Sequence, residues 1–461
     1  MIKLYYDSGT IVIRGMNHIP FATFDPRTKT LRAMGLHYRD VIGYLKSSDI
    51  EYDDHVLDLI PSPYLETSGI KLCDYQEKAL SSWTDAGMKG CVVLPAGAGK
   101  TIIGVKAIEK VNASSLIVVP TLDLMDQWIS VLSKAFGIEV GKLGGGDDNI
   151  QAVTVSTYDS AYIRAASLGN KFALIIFDEV HHLAAPGYRS IAEQLVSPYR
   201  LGLTATIERE DELHKELPRL VGGIVFQTGP GQLAENRHLA HYTIERRRVE
   251  LLPDEMVEYK KNYGRFLFSM KKLGFRLSGP NAFQRLIMIS SRNKFARDAI
   301  LARNKAMNIA LNSSAKLEEL KEILADNKGA KTIIFTQHNS LVYRISNKFL
   351  VPFITHKSNK DERVNVLQGF RDGRYAAIVT SKVLDEGVDV PDAELGIIVS
   401  GTGSSREFIQ RLGRLLRPKN DSRKAKLIEI VSSETREIGT SRRRKMALKK
   451  MDEEEAKRVG G

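Results

Sequence analysis

Cysteine and long apolar runs are both scarce in this sequence. Its 461 residues include two cysteines, Cys73 and Cys91, too few for a disulfide framework or a zinc site of several cysteines. No apolar run approaches the roughly 20 residues that cross a bilayer, and the first residues lack the pattern of a secretory signal. We therefore expect a cytoplasmic protein without a membrane partner.

Acidic residues are in the minority. Lysine and arginine total 67 against 55 aspartates and glutamates, so the formal net charge is +12. Such a surplus favours polyanionic partners, although composition does not distinguish DNA, RNA and an anionic membrane surface. Hydrophobic residues make up 43% and charged residues 26%, which is a globular balance, and the length requires two or three domains.

Short strand-like runs organise the chain. Two of them, residues 2–6 and 10–14, flank the turn signal Asp7-Ser8-Gly9 and predict a small accessory domain at 1–60. Later runs alternate with helical stretches, which predicts parallel sheets covered on both faces. These runs are residues 91–94, 116–119, 152–155, 173–177, 199–203, 332–335, 353–355, 376–379, 395–399 and 425–430. The fold class is therefore α/β, with tandem domains at 61–232 and 233–435 and a charged tail at 436–461, to which we assign no role.

One internal stretch lacks acids altogether. Between residues 260 and 297, ten basic and six aromatic side chains occur without an aspartate or glutamate. Phenylalanines at helical spacing more often belong to a core, but the missing acids favour a nucleic acid contact. The predicted contact residues are Lys260, Lys261, Phe266, Phe268, Lys271 and Lys272.

A glycine-rich loop follows the first strand of the first α/β domain. It predicts a phosphate site, because backbone N–H groups at the start of the next helix bind anions. Lys100 would meet the β and γ phosphates, and the Thr101 hydroxyl would bind Mg²⁺. The stricter motif has glycine at the position of Leu94, and a plain helix cap is the alternative, which the Lys-Thr pair disfavours. The predicted nucleotide-binding residues are Gly97, Ala98, Gly99, Lys100 and Thr101.

Two further signals carry chemistry. Asp178 and Glu179 follow a buried strand, where ligands of parallel sheets bind, so Asp178 would hold Mg²⁺ and Glu179 would polarise water. An acidic surface turn is the alternative; zinc at the adjacent His181 and His182 is disfavoured, because neighbouring side chains point apart. Downstream, a helical stretch contributes predicted catalytic residues that would stabilise charge on the transferring phosphate, with a solvated basic helix as the alternative reading. They are Gln410, Arg414 and Arg417.

In this combination and order the chain resembles superfamily 2 helicases from about residue 70 to 420. The resemblance implies two RecA-like domains, ATP and Mg²⁺ as cofactors, and a nucleic acid track. It implies that Gln76 reads adenine and that Gly387 and Asp389 contact the nucleotide. It also implies track contacts at Thr121, Thr157 and Thr380.

Finer features are similar to the XPB group of these helicases. Residues 202–206 lead into Arg209, Glu210 and Asp211, which resemble that group's Arg-Glu-Asp motif and are predicted to contact nucleic acid. The segment at about 257–297 occupies the position of the group's thumb-like insertion, and residues 1–60 that of its damage-recognition domain. The resemblance implies a monomeric, nucleoid-associated 3′ to 5′ helicase or translocase on single-stranded or forked DNA in nucleotide excision repair, with a nuclease as a possible archaeal partner.

Three other functions share parts of this pattern. An RNA helicase and a restriction-type translocase subunit use the same motor motifs, although the Arg-Glu-Asp triplet favours DNA and the chain has little room for nuclease or specificity domains. A nucleic acid scaffold with an inactive ATP site is the alternative from another class. The presence of both Lys100 and Glu179 favours turnover.

Overall fold

A computed structural model describes residues 2–209, 211–229, 233, 242–277, 282–381, 393–401, 425–442 and 446. The chain forms two compact units. One holds nearly all residues before 228, and the other holds nearly all residues from 228 onward. Among the described residues, no helix is long and apolar enough to span a membrane.

The N-terminal domain is a five-stranded sheet with one long helix. Its strand order is β3-β4-β2-β1-β5, with β5 parallel to β1 and the other pairs antiparallel. Alternating apolar residues of β1 and β2 face α1 in a buried core. The elements are β1 Ile2–Asp7, β2 Thr10–Arg14, β3 Ala22–Asp25, β4 Thr30–Met34, α1 Tyr38–Ser47 and β5 Tyr52–His55.

This domain is packed tightly against the first α/β domain. The Tyr6 hydroxyl donates to the carbonyl of Ala166 at 2.9 Å, and the Asn170 amide donates to the carbonyl of Val56 at 3.1 Å. A Cβ atom at Gly35 would lie 2.2 Å from the carbonyl oxygen of Gln194, so only glycine permits this approach. Residues 1–60 therefore belong to the same compact unit as the α/β domain that follows.

The first α/β domain is built on an eight-stranded sheet ordered β13-β6-β12-β11-β7-β10-β8-β9. Its strands are parallel except at the β8–β9 hairpin. The central strands β7, β10 and β11 are buried along their whole length, which explains their continuous apolar runs. The strands are β6 Lys89–Val93, β7 Ser115–Val119, β8 Gly141–Gly144, β9 Asp147–Asn149, β10 Val153–Thr157, β11 Leu174–Asp178, β12 Tyr199–Thr204 and β13 Ile224–Gln227. The helices are α2 Asp74–Asp85, α3 Lys100–Val111, α4 Leu122–Phe136, α5 Tyr158–Leu168, α6 Arg189–Gln194 and α7 Leu217–Leu220.

The second α/β domain has a six-stranded parallel sheet ordered β14-β19-β18-β15-β17-β16. The α/β fold class with parallel sheets is thus confirmed. The strands are β14 Tyr242–Val249, β15 Thr332–Phe335, β16 Phe353–Ile354, β17 Ala377–Thr380, β18 Leu395–Ile398 and β19 Ala425–Ser432.

Three helices form the inserted thumb between β14 and the rest of this sheet: α8 Pro253–Leu273, α9 Ala282–Ser290 and α10 Lys294–Leu311. The insertion is thus longer than the predicted 257–297, because α8 and α10 pack along one another beyond those bounds. The remaining helices are α11 Ser314–Asp326, α12 Asn339–Phe349 and α13 Lys360–Arg371.

A buried ion pair extends the second domain past the predicted boundary at 436. The Lys316 ammonium lies 2.7 Å from a carboxylate oxygen of Glu437, and neither side chain is more than 1% exposed. Lys316 also donates to the carbonyls of Val399 and Ile430, at 2.8 and 3.1 Å. Since an unpaired buried charge is costly, residues around 437 belong to the folded domain and not to a solvated tail.

Candidate ATP site and nucleic acid track

The phosphate loop joins β6 to α3. Gly97 and Gly99 have φ angles of 84° and 71°, in the region that favours glycine. The Lys100 side chain reaches back so that Nζ donates to the Leu94 carbonyl at 3.1 Å. The loop therefore has the turn chemistry and the cation that the sequence predicts for binding phosphates.

Gln76 lies beside this loop. A Cβ atom at Gly99 would lie 2.5 Å from Gln76 Nε2, so the absence of a side chain at Gly99 is what lets the two approach. The other amide atom, Oε1, accepts a hydrogen bond from the Cys73 backbone at 2.9 Å and orients the buried side chain. The role of Gln76 in reading adenine stays a prediction.

The acid pair lies at the carboxyl end of β11. Asp178 is 5% exposed, and its Oδ2 accepts from the Trp128 indole at 2.8 Å. Its Oδ1 accepts from the Glu179 backbone N–H at 2.9 Å. Burial, and then the neighbouring Glu179 charge, raise the pKa of Asp178 to about 6, against the opposing effects of the Trp128 hydrogen bond and the Lys100 ammonium. Lys100 and Asp178 thus interact electrostatically within one domain.

The donor set fits a hard divalent cation. A carboxylate at Asp178 and a hydroxyl at Thr101 are oxygen ligands of the type that Mg²⁺ takes when phosphates supply further oxygens. A buried carboxylate next to Glu179 is also a position where a cation offsets unfavourable electrostatics. These two residues are the ones that would hold the metal.

Glu179 begins a hydrogen-bonded chain that the sequence motifs did not reveal. Its φ of 47° is left-handed, and a five-residue 3-10 helix, Val180–Ala184, follows it. The Thr204 hydroxyl lies 3.2 Å from Glu179 Oε2 and 3.1 Å from His181 Nδ1. His181 therefore faces Thr204, and its ring joins the catalytic loop to the end of β12.

Arg209 was predicted to contact nucleic acid, but the structure places its guanidinium elsewhere. Its Nη1 donates to the carbonyl of His181, two residues after Glu179, at 2.7 Å. Spacing in the chain could not show this, because the contact bridges two loops that only the fold brings together. Asp211 lies among the described residues, and Glu210 lies outside them.

Three threonines were predicted to touch the nucleic acid track. Thr121 follows β7 and Thr157 ends the adjacent β10. Their hydroxyls cap α4 and α5, accepting from the backbone N–H groups of Leu124 and Ser160 at 3.2 and 3.3 Å. They therefore lie at one edge of the sheet, as parallel strands require. Thr380 differs, because its side chain is fully buried and its hydroxyl donates to the Ser381 carbonyl at 3.0 Å. The predicted contact of Thr380 with a phosphate of the track stays a prediction.

The thumb separates the two predicted phenylalanines. Phe266 is 4% exposed and belongs to the apolar core between α8, α9 and α10, so its assignment as a contact residue is wrong. Phe268 is 57% exposed, and the Lys272 ammonium lies 5.7 Å from its ring centroid. Residues two apart on a helix face different directions, but the sequence alone does not show which of these two faces packs into the core.

Acids from outside the basic stretch neutralise part of it. Lys261 lies 3.4 Å from Glu258, and Lys260 lies 3.9 Å from Glu434. Arg265 pairs with Asp298 at 3.1 Å. Among the described residues, no acid forms an ion pair with Lys271 or Lys272 farther along the thumb.

Several predicted site residues lie outside the described residues, so their placement stays a prediction. They are Glu210, Gly387, Asp389, Gln410, Arg414 and Arg417. Two side chains that hold Asp178 were not among the predicted site residues. Besides Trp128, the Tyr158 hydroxyl donates to the Asp178 carbonyl at 3.1 Å. Trp128 lies on α4 and Tyr158 begins α5, so both contacts with Asp178 join residues that are distant in the sequence.

Three family models match successive parts of the chain. Residues 4–56 match the Xeroderma pigmentosum group B helicase damage recognition domain, and residues 301–451 match the ERCC3/RAD25/XPB C-terminal helicase. Residues 69–209 match the model of the res subunit of type III restriction enzymes. The last match covers the first motor domain only, and the two XPB models flank it.

Relatives and a solved structure agree with these matches. The DNA 3′-5′ translocase XPB2 of Sulfurisphaera tokodaii is 44% identical over 96% of this chain and 100% of its own length. The DNA 3′-5′ helicase XPB of Kineococcus radiotolerans is 28% identical over 89% of this chain and 66% of its own length. The Hef helicase domain of Pyrococcus furiosus aligns with a TM-score of 0.51 over 80% of this chain and 96% of its own, at 19% identity, which supports the fold alone.

Proposed function

The chain belongs to the XPB family of superfamily 2 DNA helicases, and from that membership we propose that it hydrolyses ATP to move 3′ to 5′ along DNA and to open DNA in nucleotide excision repair. The observation that carries the proposal is Asp178 at the end of β11, a buried carboxylate that lies next to Glu179 and interacts electrostatically with Lys100. A scaffold without turnover would have no need to keep a costly buried carboxylate beside a second acid and a phosphate-binding lysine.

The predicted ATP-site residues of the first α/β domain each have a role in this chemistry. Backbone N–H groups of residues 97–101 and the Lys100 ammonium bind the β and γ phosphates. Thr101 and Asp178 would hold Mg²⁺, which would supply positive charge near the phosphate oxygens. Glu179 would orient the water that attacks the γ phosphate, and Gln76 would contact the adenine base.

The DNA contacts are proposed for two surfaces. The edge that carries Thr121 and Thr157 presents helix N-termini, which favour phosphates. The thumb presents Lys271, Lys272 and the exposed ring of Phe268. The first surface would bind the DNA phosphate backbone whatever the base sequence. The thumb would add positive charge and an aromatic ring on which a base can stack. A nuclease partner stays a prediction from the family resemblance.

ATPase rates with different polymers test the proposal. We expect single-stranded or forked DNA to stimulate hydrolysis, and a 3′-tailed duplex to be opened in an ATP-dependent strand-displacement assay, with RNA giving little stimulation. Stimulation by RNA equal to that by DNA would indicate an RNA helicase. Stimulation of hydrolysis by duplex DNA without strand displacement would indicate a translocase that does not separate strands. The absence of hydrolysis with every polymer would indicate a nucleic acid scaffold without turnover.

Removing the charges of Lys271 and Lys272 should weaken DNA binding. In a Lys271→Ala/Lys272→Ala double variant, we expect lower DNA affinity and a log-log salt slope shallower by up to about two units, since each phosphate contact contributes about one. Basal ATPase should persist, because Lys100, Asp178 and Glu179 lie in the other unit. The measurement is DNA binding by fluorescence anisotropy between low and moderate salt.

The matched control is Lys260→Ala/Lys261→Ala. These lysines are the same in number and type, but Glu434 and Glu258 already lie next to them. Their loss should change the salt slope less. An equal change in both double variants would show that the ion pairs do not select which cations bind DNA, and no change in either would assign the thumb cations to solubility.

A further inference from the structure

Arg209 is held in place from two sides. Its Nη1 donates to the His181 carbonyl at 2.7 Å, and its backbone N–H donates to Nδ1 of His214 at 3.1 Å. All three residues belong to the first unit. An arginine that served only to attract a polyanion would be expected to extend into solvent, whereas this side chain is partly buried against a catalytic loop.

The loop that Arg209 contacts is one that needs support. Glu179 has a left-handed φ of 47°, which disfavours a residue with a side chain, and persists only where neighbouring contacts enforce it. The 3-10 helix that follows has five residues, and so short a helix with its poorer hydrogen-bond geometry gains from contacts outside itself. A charge-assisted hydrogen bond from an arginine to one of its carbonyl groups is a strong contact of this kind.

His181 links this support to the carboxylate. Its carbonyl accepts from Arg209, and its Nδ1 lies 3.1 Å from the Thr204 hydroxyl, which lies 3.2 Å from Glu179 Oε2. The His181 side chain is fully buried, so its ring cannot shift without disturbing the packing around it. A displacement of the His181 backbone therefore reaches Glu179 both through the chain and through Thr204.

We propose that Arg209 is a positioning residue for Glu179, which fixes the carboxylate where it orients the attacking water. The proposal rests on the proposed function, in which Glu179 activates that water. It assigns the first residue of the Arg-Glu-Asp triplet to the ATP site of its own domain and not to the DNA surface.

The test compares three variants. Arg209→Ala should lower kcat for DNA-stimulated hydrolysis by roughly 10- to 100-fold, the range for a small misplacement of a catalytic group, with KM for ATP and DNA affinity nearly unchanged. Arg209→Lys should recover part of the loss, since an ammonium can still donate to the carbonyl. Arg189→Ala is the matched control, because Arg189 donates to Ala184 at the far end of the same 3-10 helix, at 2.9 Å.

Thermal melting of all variants shows whether the fold is retained. Normal kcat in Arg209→Ala with weaker DNA binding would overturn the proposal and return Arg209 to the DNA surface. An equal loss of kcat in Arg189→Ala would overturn it too, because any change that destabilises the 3-10 helix would then have the same effect. Glu179→Gln, measured in parallel, distinguishes a failure of the proposed role of Glu179 from a failure of the positioning role of Arg209. If it hydrolyses ATP normally, the proposed role of Glu179 fails, whereas a dead Glu179→Gln beside a normal Arg209→Ala removes the positioning role alone.

Discussion

Glu179→Gln should abolish ATP turnover while the protein still binds ATP. The amide retains the size of the side chain but loses the charge that polarises the attacking water. Phosphate binding should survive, because Lys100 and the backbone of residues 97–101 are unchanged. The Thr204 hydroxyl, 3.2 Å from Glu179 Oε2, has a polar partner in either variant, so the local structure should persist. The measurements are steady-state ATPase and equilibrium binding of a fluorescent ATP analogue.

Lys100→Ala provides the contrast. This change should also abolish turnover, but through loss of the phosphate cation, so nucleotide affinity should fall with it. The removed ammonium also lowers the pKa of Asp178 in the native protein, and its loss leaves that buried carboxylate less favourable. If both variants bind ATP equally well, or if either hydrolyses it at a near-normal rate, this loop and acid pair are not the catalytic site.

Arg414→Ala and Arg417→Ala should each lower hydrolysis, by up to roughly 10³-fold if they stabilise the charge of the transferring phosphate as arginine fingers. Ground-state binding of ATP should change less, since the contact strengthens in the transition state. Both arginines lie outside the described residues, so the prediction depends on the family motif and on their helical spacing. Single-turnover ATPase beside nucleotide affinity measures the two effects separately.

DNA affinity distinguishes the alternative for these arginines. A solvated or DNA-facing basic helix would lose nucleic acid affinity on substitution and keep its ATPase rate at saturating DNA. Normal hydrolysis in both finger variants with weaker DNA binding would reassign the stretch to the track.

Sequence patterns predicted the motor well because its chemistry depends on short local stretches. A phosphate loop is a strand, a glycine turn and a helix start within a few residues, so spacing alone specifies it. The acid pair likewise follows directly on an apolar strand. Parallel sheets are also recognisable in the sequence, because strands buried on both faces, such as β7 and β11, appear as nearly continuous apolar runs.

Two pairs of residues needed the fold for their assignment. Phe266 and Phe268 look alike in the sequence, yet one packs in the thumb core and the other is exposed, because helix orientation relative to neighbours decides burial. Lys260 and Lys261 sit in an acid-free stretch, yet acids from before it and from residue 434 reach them. Pattern reasoning along the chain does not see partners that are distant in sequence.

By itself the sequence determined the fold class, the family and the identity of the groups at the phosphate loop and the acid pair, because each is written within a few consecutive residues. Only the tertiary structure decided which side chains contact and orient those groups. Trp128 holds Asp178, Thr204 and His181 adjoin Glu179, and Arg209 reaches the loop behind them. Such contacts join separate strands and loops, and their geometry depends on the packing of the whole domain.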